Sequence, residues 1–173
     1  MQFGAIVLFA VLSAIGYGVV HDQITTRVCL EYFTVGHPPV FNTTSPTLLA
    51  LGWGFIATWW VGLPLGLALA IAARAGSRPK RSARALLRPM GLLLASMAVC
   101  ALAAGLIGAV LASRGFISLP EPFYSVVPHS KHVRFLADAW AHSASYLSGI
   151  AGGFLFVGWT WRSRRSHAVG PGG

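Results

Sequence analysis

The chain has 173 residues, of which 55% are hydrophobic and only 10% charged, with a mean hydropathy of +0.66. A water-soluble domain carries about 25% charge, so an ordinary soluble globule is excluded, as is a disordered chain. Two cysteines cannot build the disulfide framework of a small secreted scaffold, and the formal net charge of +9 leaves the placement of the charges to decide between nucleic acid and membrane as partner.

Four stretches are long enough to cross about 30 Å of hydrocarbon. The first, 2–20, reads as a retained signal anchor, because Met-Gln-Phe-Gly supplies no basic leader and no Ala-x-Ala site follows. The second, 46–73, opens on Ser45 and Pro46, a capping residue followed by a proline whose missing N–H costs nothing in a first turn. Within it Gly62 and Gly66 make a small-xxx-small pair around Pro64, which predicts a mid-depth kink, while Trp59 and Trp60 are expected to pack in the core. The third, 89–113, carries Gly91, Ala95, Ala98, Ala101, Ala104, Gly105, Gly108 and Ala112 at three- and four-residue spacing, a surface for close helix contact. The fourth, 135–161, is interrupted only by Asp138 and His142 and ends at Trp159 and Trp161, which fit an interfacial belt.

These readings predict an all-α fold: a single transmembrane domain over 1–173, an antiparallel four-transmembrane-helix bundle with outer loops 21–45 and 114–134, an inner loop 74–88 and a tail 162–173. Orientation follows from the basic residues. Arg74, Arg78, Lys80, Arg81, Arg84, Arg88, Arg162, Arg164 and Arg165 lie on one side; Arg27, Arg114, Lys131 and Arg134 lie on the other, with all the acids, Asp22, Glu31, Glu121 and Asp138. The positive-inside rule then puts both termini in the cytoplasm, in what reads as a bacterial inner-membrane protein. The excess charge is a topology signal with attraction to lipid headgroups; no aromatic-interleaved basic fold accompanies it, so membrane lipids, a second copy of the chain or a membrane-protein partner are expected, and nucleic acid is not.

The two cysteines fall at different depths, Cys29 beyond the first span and Cys100 in the middle of the third, too far apart for a disulfide; Cys100 is expected in the core. Asn42-Thr43-Thr44 matches a glycosylation sequon, a short and common pattern.

The rare titratable residues cluster on the outer half. His21, His37, His129, His132 and His142 are there with every acid, and only His167 lies in the tail. Asp138, His142 and Ser145 share one helix face inside the fourth span, where an ionisable group costs roughly 2.5 kcal/mol or more unless it meets a partner or a water-filled cavity. After the first span, His21, Thr25 and Cys29 keep helical register, Arg27 is spaced to pair with Glu31, and the helix is expected to run past the bilayer until Gly36-His37-Pro38-Pro39 turns the chain. The second outer loop, rich in proline and aromatics, is expected to pack as a lid ending at His129 and His132.

Three readings of this cluster compete. It can be a polar clasp, with Arg27 or Arg134 neutralising Asp138, in a protein with a structural, binding or subunit role. It can be a transition-metal site, Zn or Fe, with candidate ligands His21, Asp22, Glu31, His37, His129, His132, Asp138 and His142. In that case a metal-dependent enzyme acting on a lipid or lipid-soluble substrate at the outer leaflet is the alternative function, with Asp138, His142, Glu31 and Asp22 as candidate catalytic groups. It can also be a small proton or solute pathway, although spans one to three carry no charge that continues the path inward. The segment Cys29-Leu-Glu-Tyr-Phe-Thr-Val-Gly-His-Pro38 resembles uncharacterised bacterial four-span integral membrane proteins; the resemblance implies the architecture and carries no activity, ligand or residue role.

Overall fold

The computed structural model describes residues 1–164; Arg165 and His167 of the expected tail lie outside the described residues. All regular structure among the described residues is helical. Seven α-helices follow in order: α1 (Gln2–Val28), α2 (Leu30–Thr34), α3 (Pro46–Ile56), α4 (Trp59–Arg74), α5 (Leu87–Ser113), α6 (Phe123–Val126) and α7 (His132–Arg162), with 3₁₀ turns at Ala83–Leu86 and His129–Lys131.

Three segments, Gln2–Val28, Pro46–Arg74 and Ala83–Ser113, are long and apolar enough to cross a membrane. Helix α7 has 31 residues, about 46 Å at the α-helical rise. It is long enough, but Asp138, His142 and three serines (Ser143, Ser145, Ser148) dilute its apolar character, so it does not qualify by composition alone.

The long helices pack as two antiparallel pairs. Helix α1 lies along α3 and α4, α5 lies along α7, and contact of α4 with α7 joins the pairs. Glycine sets the spacing of the first pair. A Cβ on Gly54 would come 2.6 Å from the Val19 backbone, and one on Gly62 would come 2.9 Å from Val11 Cα, so α1 and its neighbour touch backbone to backbone. Gly66 meets Val7 and Ala10 in the same way, which is the use that the small-xxx-small spacing suggested. In the second pair Gly108 accepts the Trp140 ring and Gly105 approaches the Ala137 carbonyl.

Two apolar clusters result. One joins Ile6, Ala10, Leu69, Ala73, Leu86, Met90, Leu93 and Phe156 toward the arginine-rich end. The other joins Cys29, Leu119, Val127, Phe135 and Leu136 at the opposite end. Leu119 and Val127 belong to the second loop, so that loop packs down as expected. Between the clusters, along both α1 and α7, lie the polar residues of the next section.

Several expectations change. The interruption of the second apolar segment falls at Ala57–Thr58, not at Pro64, because Pro64 sits early in α4 and the chain resets before it: the N–H groups of Val61 and Gly62 both turn to the Thr58 carbonyl. Ser45 occupies the capping position of α3 but its side chain caps nothing; its N–H instead bonds Thr43 Oγ1 at 3.1 Å. Trp59 and Trp60 are 43% and 57% exposed, and Cys100 is exposed too, so these side chains cover the outside of the helices rather than the core. The small-residue series of α5 is used from Ala101 to Ala112, whereas Gly91, Ala95 and Ala98 are exposed. Arg27 does not pair with Glu31, because the helix breaks at Cys29, whose extended backbone (φ −146°, ψ 100°) takes Glu31 out of register. Both cysteines are free, as their depths implied.

Helix ends are handled by glycine where the chain must turn left-handed. At the end of α5, Gly115 (φ 75°) lets its own N–H reach the Ala112 carbonyl while Phe116 N–H reaches Leu111, the Schellman pattern; after α4 Gly76 also takes a positive φ of 73°.

Candidate functional site

Helix α1 projects Tyr17, His21 and Asp22 toward α7, which answers with Asp138, His142 and Ser145. Tyr17 and His21, like Asp138, His142 and Ser145, recur at three- and four-residue intervals, so helical geometry alone stacks them on one face. Asp22, Thr25, Asp138, His142 and Ser145 are buried. Tyr17 Oη and Ser145 Oγ lie 2.9 Å apart and tie the helices at the floor of the site.

The centre is His21, Asp22 and His142, whose potential ligand atoms all lie within 4.8 Å of one another. His142 Nδ1 is 2.8 Å from the Asp138 backbone carbonyl. A carbonyl only accepts, so Nδ1 carries the proton and donates, which leaves Nε2 as a lone pair directed at Asp22 Oδ1, 3.3 Å away. Two acceptors thus face each other, and only a cation between them, a proton or a metal ion, makes the contact favourable. The rings of His21 and His142 meet edge to face at 4.5 Å, and His21 Nε2 is buried with no hydrogen-bond partner among the described residues. Asp138 Oδ2 is orphaned in the same way.

His37 reaches this region from the loop after α2. Its Nδ1 lies 2.8 Å from the Tyr32 carbonyl, so it too is fixed with Nδ1 protonated and Nε2 as a lone pair. Burial pushes its pKa down; the Tyr32 carbonyl opposes this, while His142 adds to it, and the ring is held neutral at physiological pH. His37 stacks on Phe33 (5.5 Å) and leans on Trp53 (4.6 Å).

A cavity of about 60 Å³ is bounded by His21, Asp22, His37 and His142, with hydroxyls from Tyr17, Thr58, Ser145 and Tyr146 and apolar walls from Phe33 and Trp53. A second, open groove of about 390 Å³ runs on the far side of the same two aromatic rings, lined by residues of the 38–44 loop. Phe33 and Trp53 therefore form a partition between groove and cavity.

The other predicted residues are placed elsewhere. Glu31 forms an ion pair with Lys131 at 3.3 Å and accepts from the Cys29 thiol at 3.4 Å. Burial pushes the Glu31 carboxyl up, but backbone hydrogen bonding, Lys131 and Cys29 outweigh it and hold the group below its usual range. His129 and His132 face each other at 4.7 Å beside Tyr124, and His132 Nε2 donates to the Val127 carbonyl at 2.9 Å. Asp138 lies beside the centre through its backbone, and neither arginine expected to neutralise it does so: Arg27 bonds Gln23 and Thr47, and Arg134 is exposed. Tyr17, Thr58 and Trp53 were not expected at the site; Tyr17 carried a signal, since it stands one turn before His21 as a lone phenol in an apolar run.

Cys29, 1% exposed, has its thiol pushed up to about 11, chiefly by burial. It is expected to resist water-soluble alkylating reagents at pH 8 in the folded protein and to react fully once unfolded. Labelling of Cys29 in the native state, read by peptide mass spectrometry, would show that the cluster of Cys29, Leu119, Val127, Phe135 and Leu136 opens readily.

No family model, curated protein or solved structure matches the chain.

Proposed function

We propose that the protein is an integral membrane protein of four crossing helices, α7 being the fourth, whose outer half binds one divalent transition metal through His21, Asp22 and His142. The basic end faces the cytoplasm in this reading, with both termini. The observation that carries the metal assignment is the set of three mutually close donors of which only one pair could be satisfied by a proton. An imidazolium at His142 would settle its contact with Asp22 and leave His21 Nε2 bare; a metal ion satisfies all three.

Geometry and chemistry support the choice. Tetrahedral bonds of about 2.0–2.1 Å put ligand atoms about 3.3 Å apart, the separation already present between His142 Nε2 and Asp22 Oδ1. The His142 ring is anchored through its other nitrogen by a backbone carbonyl, the usual outer support of a metal-binding imidazole. Two imidazoles and one carboxylate suit Zn²⁺ or Fe²⁺, and His37 is the candidate for a fourth ligand.

The cavity holds a few waters but no lipid headgroup, because a water takes about 30 Å³ of liquid volume. Size thus favours a binding or structural centre over turnover of a lipid. In the enzyme reading the metal would polarise a water beside the Tyr17 and Ser145 hydroxyls, and the Phe33–Trp53 partition would have to open for substrate.

The test is the metal content of protein purified in mild detergent without chelator. About one equivalent is expected, falling at least tenfold in Asp22→Asn and in His142→Ala variants that keep their helical circular dichroism. A well-folded native protein that neither contains metal nor takes up added Zn²⁺ or Fe²⁺ would overturn the proposal.

A further inference from the structure

The arginine-rich end has no acidic side chain to balance its charge. All four acids of the sequence stand at the other end: Asp22 and Asp138 at the candidate centre, Glu31 with Lys131, Glu121 in the second outer loop. Around the loop after α4, by contrast, Arg74, Arg78, Arg81 and Arg164 gather with no carboxylate side chain among them.

Their local roles differ. Arg164 is consumed by backbone: its guanidinium donates to the carbonyls of Ala72, Ala75, Arg78 and Pro79 at 2.6–3.0 Å. Arg74 bonds the Arg81 carbonyl at 3.3 Å. Arg78 and Arg81 keep unused capacity. The Arg78 guanidinium lies 4.8 Å over the Trp161 ring, and its Nη1 is buried without a hydrogen-bond partner among the described residues. The Arg81 guanidinium lies 5.1 Å over Trp159 and spends Nη2 on the Ser163 carbonyl at 3.0 Å. Two guanidinium groups thus rest over two tryptophans, the residues that mark the level of lipid headgroups in a membrane. A guanidinium can bind a phosphate through paired N–H groups, and contact with a ring lowers the entropy such a contact would otherwise cost.

We infer that Arg78 and Arg81, shelved on Trp161 and Trp159, form a binding site for the phosphodiester of one anionic phospholipid. The lipid would supply the anion that no side chain provides at this end, and its acyl chains would lie along the exposed apolar surface of α4 or α7. This assignment is independent of the metal centre at the opposite end.

The experiment reconstitutes the protein in nanodiscs of phosphatidylcholine alone, of phosphatidylcholine with phosphatidylglycerol, and of phosphatidylcholine with about 10 mM inorganic phosphate, roughly ten times the Kd of about 1 mM expected of a weak site. Thermal midpoint and lipid retained in native mass spectrometry are read for the native protein, for Arg78→Ala/Arg81→Ala and for Lys80→Ala/Arg84→Ala. The last pair removes the same charge from exposed positions without an aromatic shelf. Expected is a higher midpoint and one retained phosphatidylglycerol in the native protein and in the Lys80/Arg84 variant, with retention at least about tenfold lower in the Arg78/Arg81 variant. Because the readout is the difference between lipids, a general loss of stability in a variant cancels. Equal retention in both double variants, or none in the native protein, would overturn the site; an equal rise with inorganic phosphate would overturn the lipid assignment.

Discussion

Replacing Arg164 by alanine is expected to destabilise the protein by about 3 kcal/mol or more, the largest effect of any side chain at the basic end. The residue is 1% exposed and its guanidinium fastens α7 to the C-terminal carbonyls of α4 and to the turn beyond. Hydrogen bonds from a charged donor contribute about 1.5–3 kcal/mol each, and those to Ala72 and Ala75 also meet the negative end of a helix dipole. Water entering the vacated space would serve some of the four carbonyls, which is why the expected total is well below the sum. Arg164→Lys should recover less than half, since an ammonium cannot span carbonyls set out for a planar fork. Unfolding in mixed detergent, followed by circular dichroism, gives the comparison; an alanine variant as stable as the parent would mean that α4 and α7 are held by apolar contact alone.

The second large effect is expected at the closest crossing of α1 and α3. Gly54→Ala puts a Cβ 2.6 Å from both the N and the Cα of Val19, a contact with backbone that no rotamer can relieve. The two helices must separate by about an ångström, at a cost of about 2–3 kcal/mol. His21 and Asp22 ride on α1 immediately beyond this crossing, so the same methyl should lower metal retention at least tenfold although it touches no ligand. Gly16→Ala is the matched control: a Cβ there meets nothing within 4 Å, and alanine is the better helix former, so stability should hold or rise slightly. If both substitutions behave alike, helix spacing at Gly54 does not set the site.

Much of this arrangement is visible in one dimension. Of the four spans read from the apolar runs, three are long and apolar enough to cross a membrane, and the spacing of Asp138, His142 and Ser145 announces a polar face on α7. What the sequence leaves open is which distant residue faces which. His142 and Asp22 are 120 positions apart, and nothing local says that they meet. Exposure is equally silent in an apolar helix: Trp59, Trp60 and Cys100 look like core residues because lipid and protein interiors select the same side chains. The Arg27–Glu31 pairing fails for a different reason, a single extended residue at Cys29 that breaks helical register. Arg164 is the instructive omission. Among several basic tail residues it reads only as part of the topology signal, and the carbonyls it captures distinguish it from its neighbours.

The partition made by Phe33 and Trp53 bears on rates rather than on affinity. The groove outside it is open, while the cavity inside admits only a few atoms beyond its own walls. An ion held as proposed by His21, Asp22 and His142 would pass between cavity and groove most directly if Phe33 on α2 or Trp53 on α3 moved aside. Loading and loss would then depend on the motion of α2, which is fastened by the Glu31–Lys131 pair, by Tyr32 against Phe135 and by the buried Phe33 ring. The lifetime of a bound ion would be set at the outer surface, several residues away from any atom that touches it.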